Sequence, residues 1–148
     1  MQKVIKFKRL HNLAELPSHQ TTGSVGFDFI SINKSFNIWP TERVIVATGL
    51  SVCLPPRVEL QIRSRSGLAI SRGIAVLNAP GTIDNDYRGE IKIILINLGK
   101  DHVTINPGDR IAQGVLAPYF KLDDFLVQNV TVLDQTERDD GGFGSTGR

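Results

Sequence analysis

Asp84, Asp86, Tyr87 and Arg88, between Gly81 and Glu90, put two carboxylates, a phenol ring and a guanidinium within a few residues, and Asn78 lies just upstream. A carboxylate can align and deprotonate a water, a ring can cover a planar surface, and a guanidinium can hold an oxyanion. The Asp84-Asn85-Asp86 run is also ordinary turn chemistry, because Asn and Asp bond nearby backbone and tolerate unusual dihedrals. Apolar residues flank it, so the stretch from Gly81 to Ile91 predicts a β-hairpin with these groups at its mouth.

A second cluster is Arg63-Ser64-Arg65-Ser66-Gly67-Leu68-Ala69-Ile70. Ser66 is expected to cap a short helix whose apolar side is Leu68, Ala69 and Ile70. Backbone N–H groups at such a start, beside two Arg and two Ser, suit a phosphate; they also suit a plain capped helix with solvated arginines. Asp28 falls on a strand-like run, Gly23 to Ser31, and Arg110 opens another. The tail Glu137-Arg138-Asp139-Asp140-Gly141-Gly142-Phe143-Gly144-Ser145-Thr146-Gly147-Arg148 has the composition of a mobile end, yet its Phe and two Arg also fit a segment that orders over a ligand.

The elements that must position these groups are short. Arg43 to Ala47, Leu50 to Leu54, Ile74 to Leu77, His102 to Ile105 and Arg110 to Leu116 read as strands, and Val58 to Ile62 alternates apolar with polar. Ile91 to Ile96 is a nearly continuous β-branched run, expected for a strand buried on both faces. Many short strands punctuated by 14 Gly and 7 Pro, with almost no helix, predict an all-β fold, a β-sandwich or jelly roll with one short helix. The expected organisation is one β domain over 1–136 and a C-terminal arm over 137–148.

With 148 residues the chain is long enough to bury a core. A net charge of +2 does not argue for nucleic acid, and Lys3, Lys6, Lys8 and Arg9 read as the solvated face of an edge strand. The single cysteine, Cys53, excludes an internal disulfide. No signal-like or spanning apolar run occurs, so a cytoplasmic protein with no membrane partner is expected. Phosphate-loop, dinucleotide and His-Glu-x-x-His signatures are absent, and Ser66 has no obvious His partner. What remains is a set of anion binders (Arg65, Ser66, Arg110, Arg138), carboxylates (Asp28, Asp84, Asp86) and rings (Tyr87, Phe143), an inventory compatible with a nucleotide site.

Five segments, in order, resemble the five motifs of the trimeric dUTP pyrophosphatases (dUTPases). They are Gly26-Phe27-Asp28-Phe29, Arg65-Ser66-Gly67-Leu68, Gly81 through Gly89, Gly108-Asp109-Arg110-Ile111-Ala112-Gln113, and Arg138 through Gly147. The resemblance implies a jelly-roll subunit in a homotrimer, with each site assembled from three chains: the hairpin of one, the Arg65 and Gln113 segments of a second, the glycine-rich arm of a third. It implies hydrolysis of dUTP to dUMP and pyrophosphate, with Mg²⁺ held mainly by triphosphate and water, limiting uracil in DNA and supplying dUMP for thymidylate synthesis. Asp84 matches the family's general base. Arg65, Ser66, Gly67 and Gln113 match residues holding phosphates or the attacking water. Asn78, with Thr82 and Ile83 of the hairpin, matches the uracil reader, and Tyr87 matches the ring that packs under deoxyribose and leaves no room for a 2′-hydroxyl, rejecting UTP. Arg138, Phe143, Gly144 and Ser145 match the arm that closes over the nucleotide, while Asp28 is expected to support Arg110 or the site framework. Asp86 and Arg88 are expected in hairpin structure or subunit contacts. A dCTP deaminase, which shares the fold, would need a glutamate base that neither Glu59 nor Glu90 supplies in such a motif; a non-enzymatic scaffold would not need Asp84, Tyr87 and Phe143 together. The sequence departs from the family pattern at Asp139-Asp140 after Arg138, at Gly114 in place of a large aliphatic residue, and at Phe29 in place of Leu.

Overall fold

The computed structural model describes residues 3–142. In chain order the strands are β1 (Lys6–Arg9), β2 (Phe27–Ile30), β3 (Phe36–Ile38), β4 (Arg43–Ala47), β5 (Leu50–Cys53) and β6 (Val58–Arg63). The helix α1 (Ser66–Arg72) follows, then β7 (Ile74–Val76), β8 (Gly81–Ile83), β9 (Lys92–Asn97), β10 (Val103–Ile105) and β11 (Arg110–Pro118). Every paired strand is antiparallel. The fold is all-β with one short helix.

Period-two patterning decides which side chains meet. Val58, Leu60 and Ile62 are buried on β6 while Glu59, Gln61 and Arg63 face outward, as alternation requires. β6 sits inside a four-stranded sheet ordered β2-β11-β6-β8, and β9 is the centre of a three-stranded sheet ordered β4-β9-β7. β9 does not bury both faces equally: Ile93, Leu95 and Asn97 are buried, whereas Ile94 and Ile96 are half-covered. Its buried amide is fully used. Asn97 donates to the carbonyls of Ile38 and Asp101, both at 2.8 Å, and accepts from Gly99 N–H at 2.8 Å. β1 is the edge strand that its charges predict, pairing only with β5 and keeping Lys6, Lys8 and Arg9 exposed.

One apolar cluster joins the sheets, with Phe29, Ile38, Leu60, Ile93, Leu95 and Ile111 each at most 1% exposed. Burying each such side chain contributes about 1.5–3 kcal/mol, against about 0–1 for an exposed ion pair. The core therefore dominates stability.

Two local expectations are corrected. The Gly81-to-Ile91 hairpin does not form, because β8 pairs with β6 while β9 pairs with β4 and β7. The Asp84–Tyr87 turn instead carries the chain from one sheet to the other. Ser66 is not the helix cap; it is the first helical residue, Arg65 is the extended N-cap, and no side chain caps the helix. Arg65, not a hydroxyl, thus stands at the strand-to-helix corner. Of the helix's apolar residues only Leu68 is partly covered, and Ile70 is 89% exposed.

After β11 a 3-10 turn, Leu122–Asp124, is held by Arg57, whose guanidinium grips the Asp124 carboxylate, one N–H to Oδ1 at 2.7 Å. The hydrogen bond from Arg57, followed by the Lys121 backbone N–H, holds the Asp124 carboxyl below the usual carboxylate range. Beyond it, among the described residues, the stretch from Phe125 to Leu133 joins no sheet, and Leu126, Val132 and Leu133 stand at least 80% exposed.

Candidate active site

The first group of candidates surrounds Asp28. On β11, Arg110 pairs with Ile30 but Ala112 pairs with Phe29, so one extra residue enters the strand between them. In a regular strand, residues three apart face opposite sides. The bulge removes that conflict, burying Ile111 and Ala112 in succession and leaving Arg110 and Gln113 outside the core. Asp28 Oδ1 then meets Arg65 Nε at 2.9 Å, and its Oδ2 lies 3.5 Å from an Arg110 Nη1. Arg65 also donates to the Arg110 carbonyl at 3.0 Å. Asp28 therefore holds Arg65 more closely than the Arg110 expected from the sequence.

Gln113 lies opposite both Asp28 and Arg63 in the sheet and donates to the Ser64 carbonyl at 2.9 Å. Gly26 permits this, since a Cβ there would sit on the Gln113 amide. Ser64 is committed elsewhere, its hydroxyl accepting from Val76 N–H at 2.8 Å. Ser66 and Gly67 are exposed beside Arg65. Together these residues form an anion-binding corner with one carboxylate behind it.

The second group lines a cleft of about 240 Å³ formed by Thr82, Ile83, Asp84, Tyr87, Glu90 and Lys92. That is below the roughly 300–1,000 Å³ of complete small-molecule sites. Tyr87 N–H closes the turn on the Asp84 carbonyl at 3.2 Å, and its hydroxyl donates to the Glu90 carbonyl at 3.0 Å. Arg88 is spent on the loop itself, donating to the Asn85 and Tyr87 carbonyls at 2.8 and 3.0 Å. Asn78 leans over Gly81, within 3.3 Å of where a Cβ would stand. Glu90 and Lys92, with Lys92 Nζ 3.7 Å from Glu90 Oε2, are cleft residues that the motif reading missed. The available signal was a lone cation inside an apolar strand. A larger groove of about 700 Å³ between α1 and β10 carries none of the candidates.

The two groups do not meet in one chain. Leu60 pairs with Ile83, so Asp84 stands opposite Glu59 at the start of β6, whereas Arg65 follows its other end. Six residues of extended chain separate those positions, on the order of 20 Å at ~3.3 Å per residue. Arg138 joins neither group: its Nε donates to the Gly141 carbonyl at 2.9 Å within its own turn. Phe143, Gly144 and Ser145 lie outside the described residues.

A dUTPase family model matches residues 12–147. The chain belongs to the dUTPase family. It is 51% identical over 140 residues to the deoxyuridine 5'-triphosphate nucleotidohydrolase of Hydrogenobaculum sp., covering 95% of each chain. To the same-named enzyme of Wolinella succinogenes it is 51% identical over 144 residues, 97% of this chain and 94% of that one. A solved dUTPase of Staphylococcus bacteriophage 80alpha with dUpNHpp has the same fold, with a TM-score of 0.89 at 22% identity over 99% of this chain and 100% of that one. A dUTPase variant from phage phi11 of S. aureus, described with a structural Mg(II) ion, has a TM-score of 0.78 at 20% identity over 89% and 99% of the two chains. Like its family, the chain is a hydrolase of nucleotide metabolism. Among the described residues no helix is long and apolar enough to cross a membrane.

Proposed function

We propose that the chain hydrolyses dUTP to dUMP and pyrophosphate in sites that copies of it build together as a homotrimer. The observation that carries the shared site is the separation of Asp84 from the Arg65–Gln113 corner along β6. A carboxylate and an anion corner on the order of 20 Å apart, six residues at ~3.3 Å each, cannot act on one phosphate ester within a single chain. A neighbour's corner facing this chain's cleft completes the set, and the uncovered apolar segment from Phe120 to Leu133 gives such copies surface to bury.

In the assembled site Asp84 orients and deprotonates a water for in-line attack on the α-phosphorus. A carboxylate is a weak base, so alignment and charge neutralisation carry much of the rate. Arg65, steered by Asp28, binds phosphate oxygens beside Ser66 and Gly67, and the Gln113 amide sits next to the reacting group. Mg²⁺ would be carried in on the triphosphate, held mainly by its oxygens and water. Bound there, the ion would supply charge neutralisation.

Asn78 and the backbone of Thr82 and Ile83 read uracil, and cytosine, with an amino donor where uracil has an acceptor, leaves buried polar groups unmatched at a penalty of about 10⁴-fold. A tight loop refuses the methyl of thymine. Tyr87 packs on deoxyribose. Arg138 and the arm to Ser145 close over the nucleotide, with Phe143 against the base. The activity keeps uracil out of DNA and supplies dUMP for thymidylate synthesis.

Pyrophosphate release from dUTP, dCTP, dTTP and UTP, with and without Mg²⁺, tests the substrate; turnover of dCTP equal to that of dUTP overturns it. Subunit mixing tests the shared site. Asp84→Asn and Arg65→Ala homo-oligomers should each be nearly inactive. Refolded together in equal amounts, they should recover about a quarter of parent activity, the fraction of randomly paired sites that draw both intact residues. No recovery means that each site lies within one chain.

A further inference from the structure

Tyr87 is 43% exposed, so the core does not fix it. Three local contacts do. Its own N–H closes on the Asp84 carbonyl, its hydroxyl reaches the Glu90 carbonyl, and the hydroxyl end of its ring packs against Gly89. A Cβ at position 89 would stand 2.5 Å from Tyr87 Cζ and 2.9 Å from Cε2, and nearer still to the hydroxyl oxygen. Such separations do not occur between real atoms, so any side chain at 89 evicts the ring. A left-handed φ is not the reason for glycine there. Gly49, Gly73 and Gly108 have left-handed φ angles, and Gly89 does not. The three atoms nearest a Cβ at 89 all belong to the Tyr87 ring and hydroxyl.

The acceptor side of this seat is rigid. Glu90 is tied to the neighbouring strand by Gly49 N–H to its Oε1 at 2.9 Å, and Ile91 N–H follows at 2.8 Å to the Leu50 carbonyl. Tyr87 therefore lines the Thr82–Asp84 cleft at a position set by Gly89 and the Glu90 carbonyl. We propose that Gly89 is a specificity-determining positioning residue: by giving Tyr87 its seat it sets how close the ring stands to the sugar, and so how strongly a 2′-hydroxyl is refused. This rests on the dUTPase reading above. A displaced ring leaves room for ribose and weakens packing on deoxyribose, so the two substrates respond in opposite directions.

The test is Gly89→Ala in the full chain, with kcat/KM for pyrophosphate release measured on dUTP and UTP. The dUTP-to-UTP ratio should fall about tenfold or more, the scale on which a pocket senses a small group, with the larger part in KM for dUTP. A ratio within about twofold of the parent, whatever the loss in dUTP turnover, means that Gly89 acts only on folding and overturns the inference. Tyr87→Leu and Tyr87→Leu/Gly89→Ala complete a cycle. With the ring gone, alanine at 89 should change neither the ratio nor the melting temperature. If Gly89→Ala alone does not fold, a folded double variant matching Tyr87→Leu supports the seat; a double variant that also fails to fold overturns it. A parent chain that releases no pyrophosphate from dUTP fails the dUTPase reading itself, a result distinct from an unchanged ratio in an active variant.

Discussion

Asp28→Asn separates the two things that a carboxylate behind an anion corner can do. Its side chain is 14% exposed and faces Arg65 at 2.9 Å and Arg110 at 3.5 Å, with the two arginine side chains 26% and 49% exposed. The shorter contact is a close ion pair without hydrogen-bond alignment, worth about 1 kcal/mol. The longer one, to a half-exposed partner, contributes about 0–1 kcal/mol after solvent screening. Asparagine keeps an oxygen for Arg65 but turns an amide donor toward Arg110, so the net loss is about 1–2 kcal/mol, or a fall of about 5 °C in Tm for a chain of this size. Removing a negative charge also makes the corner more attractive to a triphosphate. At about 6 Å in a water-like medium that gain is only about 0.7 kcal/mol, less in salt. Orientation is worth more, since a misplacement of about 1 Å in a positioning group can cost about 100-fold. The expected result is therefore a kcat lowered about 10- to 100-fold with KM unchanged or slightly lower, measured by steady-state pyrophosphate release from dUTP. A raised KM with parental kcat would show that Asp28 contributes uniform binding and does not hold Arg65 for the reaction, and would refute this reasoning.

Three further predictions concern the rest of the molecule. Gly114→Val should cost about 1–3 kcal/mol by overpacking, because a Cβ at 114 would stand 2.8 Å from the Phe29 ring and 2.6 Å from Phe27; Phe29→Leu added to it should restore part of the loss in urea unfolding, and strict additivity would refute the coupling. Asn97→Leu should destabilise by about 2–4 kcal/mol, since the Ile38, Asp101 and Gly99 backbone groups lose their partner; a change under about 0.5 kcal/mol in the same assay would mean that water replaces the amide. The Arg57–Asp124 link, with the carboxyl held low, is fully present above the usual carboxylate range and is lost as pH falls through the lowered value. Arg57, pushed further up by its hydrogen bond to the same carboxylate, stays charged throughout. Hydrogen exchange of Lys121, Asp124 and Phe125 amides, corrected for intrinsic rates, should quicken only at the acid end, and Asp124→Asn should remove that dependence.

Strand positions were legible because alternation and β-branched runs depend on local burial: β4, β5, β6, β9 and β11 fall within a residue or two of their sequence-based spans. Partners were not. Gly81 to Ile91 has every local mark of a hairpin, but Ile62, Gln61 and Leu60 offer β8 a partner while Val44 to Val46 and Val76 offer β9 others, and only the assembled core decides between them. The helix start misled for a related reason. Serine at 66 has capping chemistry, yet Arg65 occupies the extended cap position, where its guanidinium can reach Asp28. The bulge in β11 did leave a trace: Ile111-Ala112 puts two apolar residues in succession where strict alternation allows one. Two departures from the family pattern also find one cause. Gly114 leaves the space that the Phe27 and Phe29 rings, 5.6 Å apart, occupy, so a large aromatic at 29 and a missing side chain at 114 are a single packing solution.

The site candidates were legible as residue types but not as an arrangement, and the antiparallel pairing of β6 explains why. Motif order along the chain is silent on distance. Pairing Leu60 with Ile83 and Arg63 with Gln113 sends the Asp84 loop to one end of β6 and the anion corner to the other. A one-residue slip in that pairing would turn Leu60 and Ile62 out of the core, so burial fixes the register and the register fixes the separation. No side-chain rotation spans on the order of 20 Å, six residues at ~3.3 Å. The same core thus keeps the two groups at opposite ends of β6, and it is this separation on which the proposed sharing of the site between copies rests.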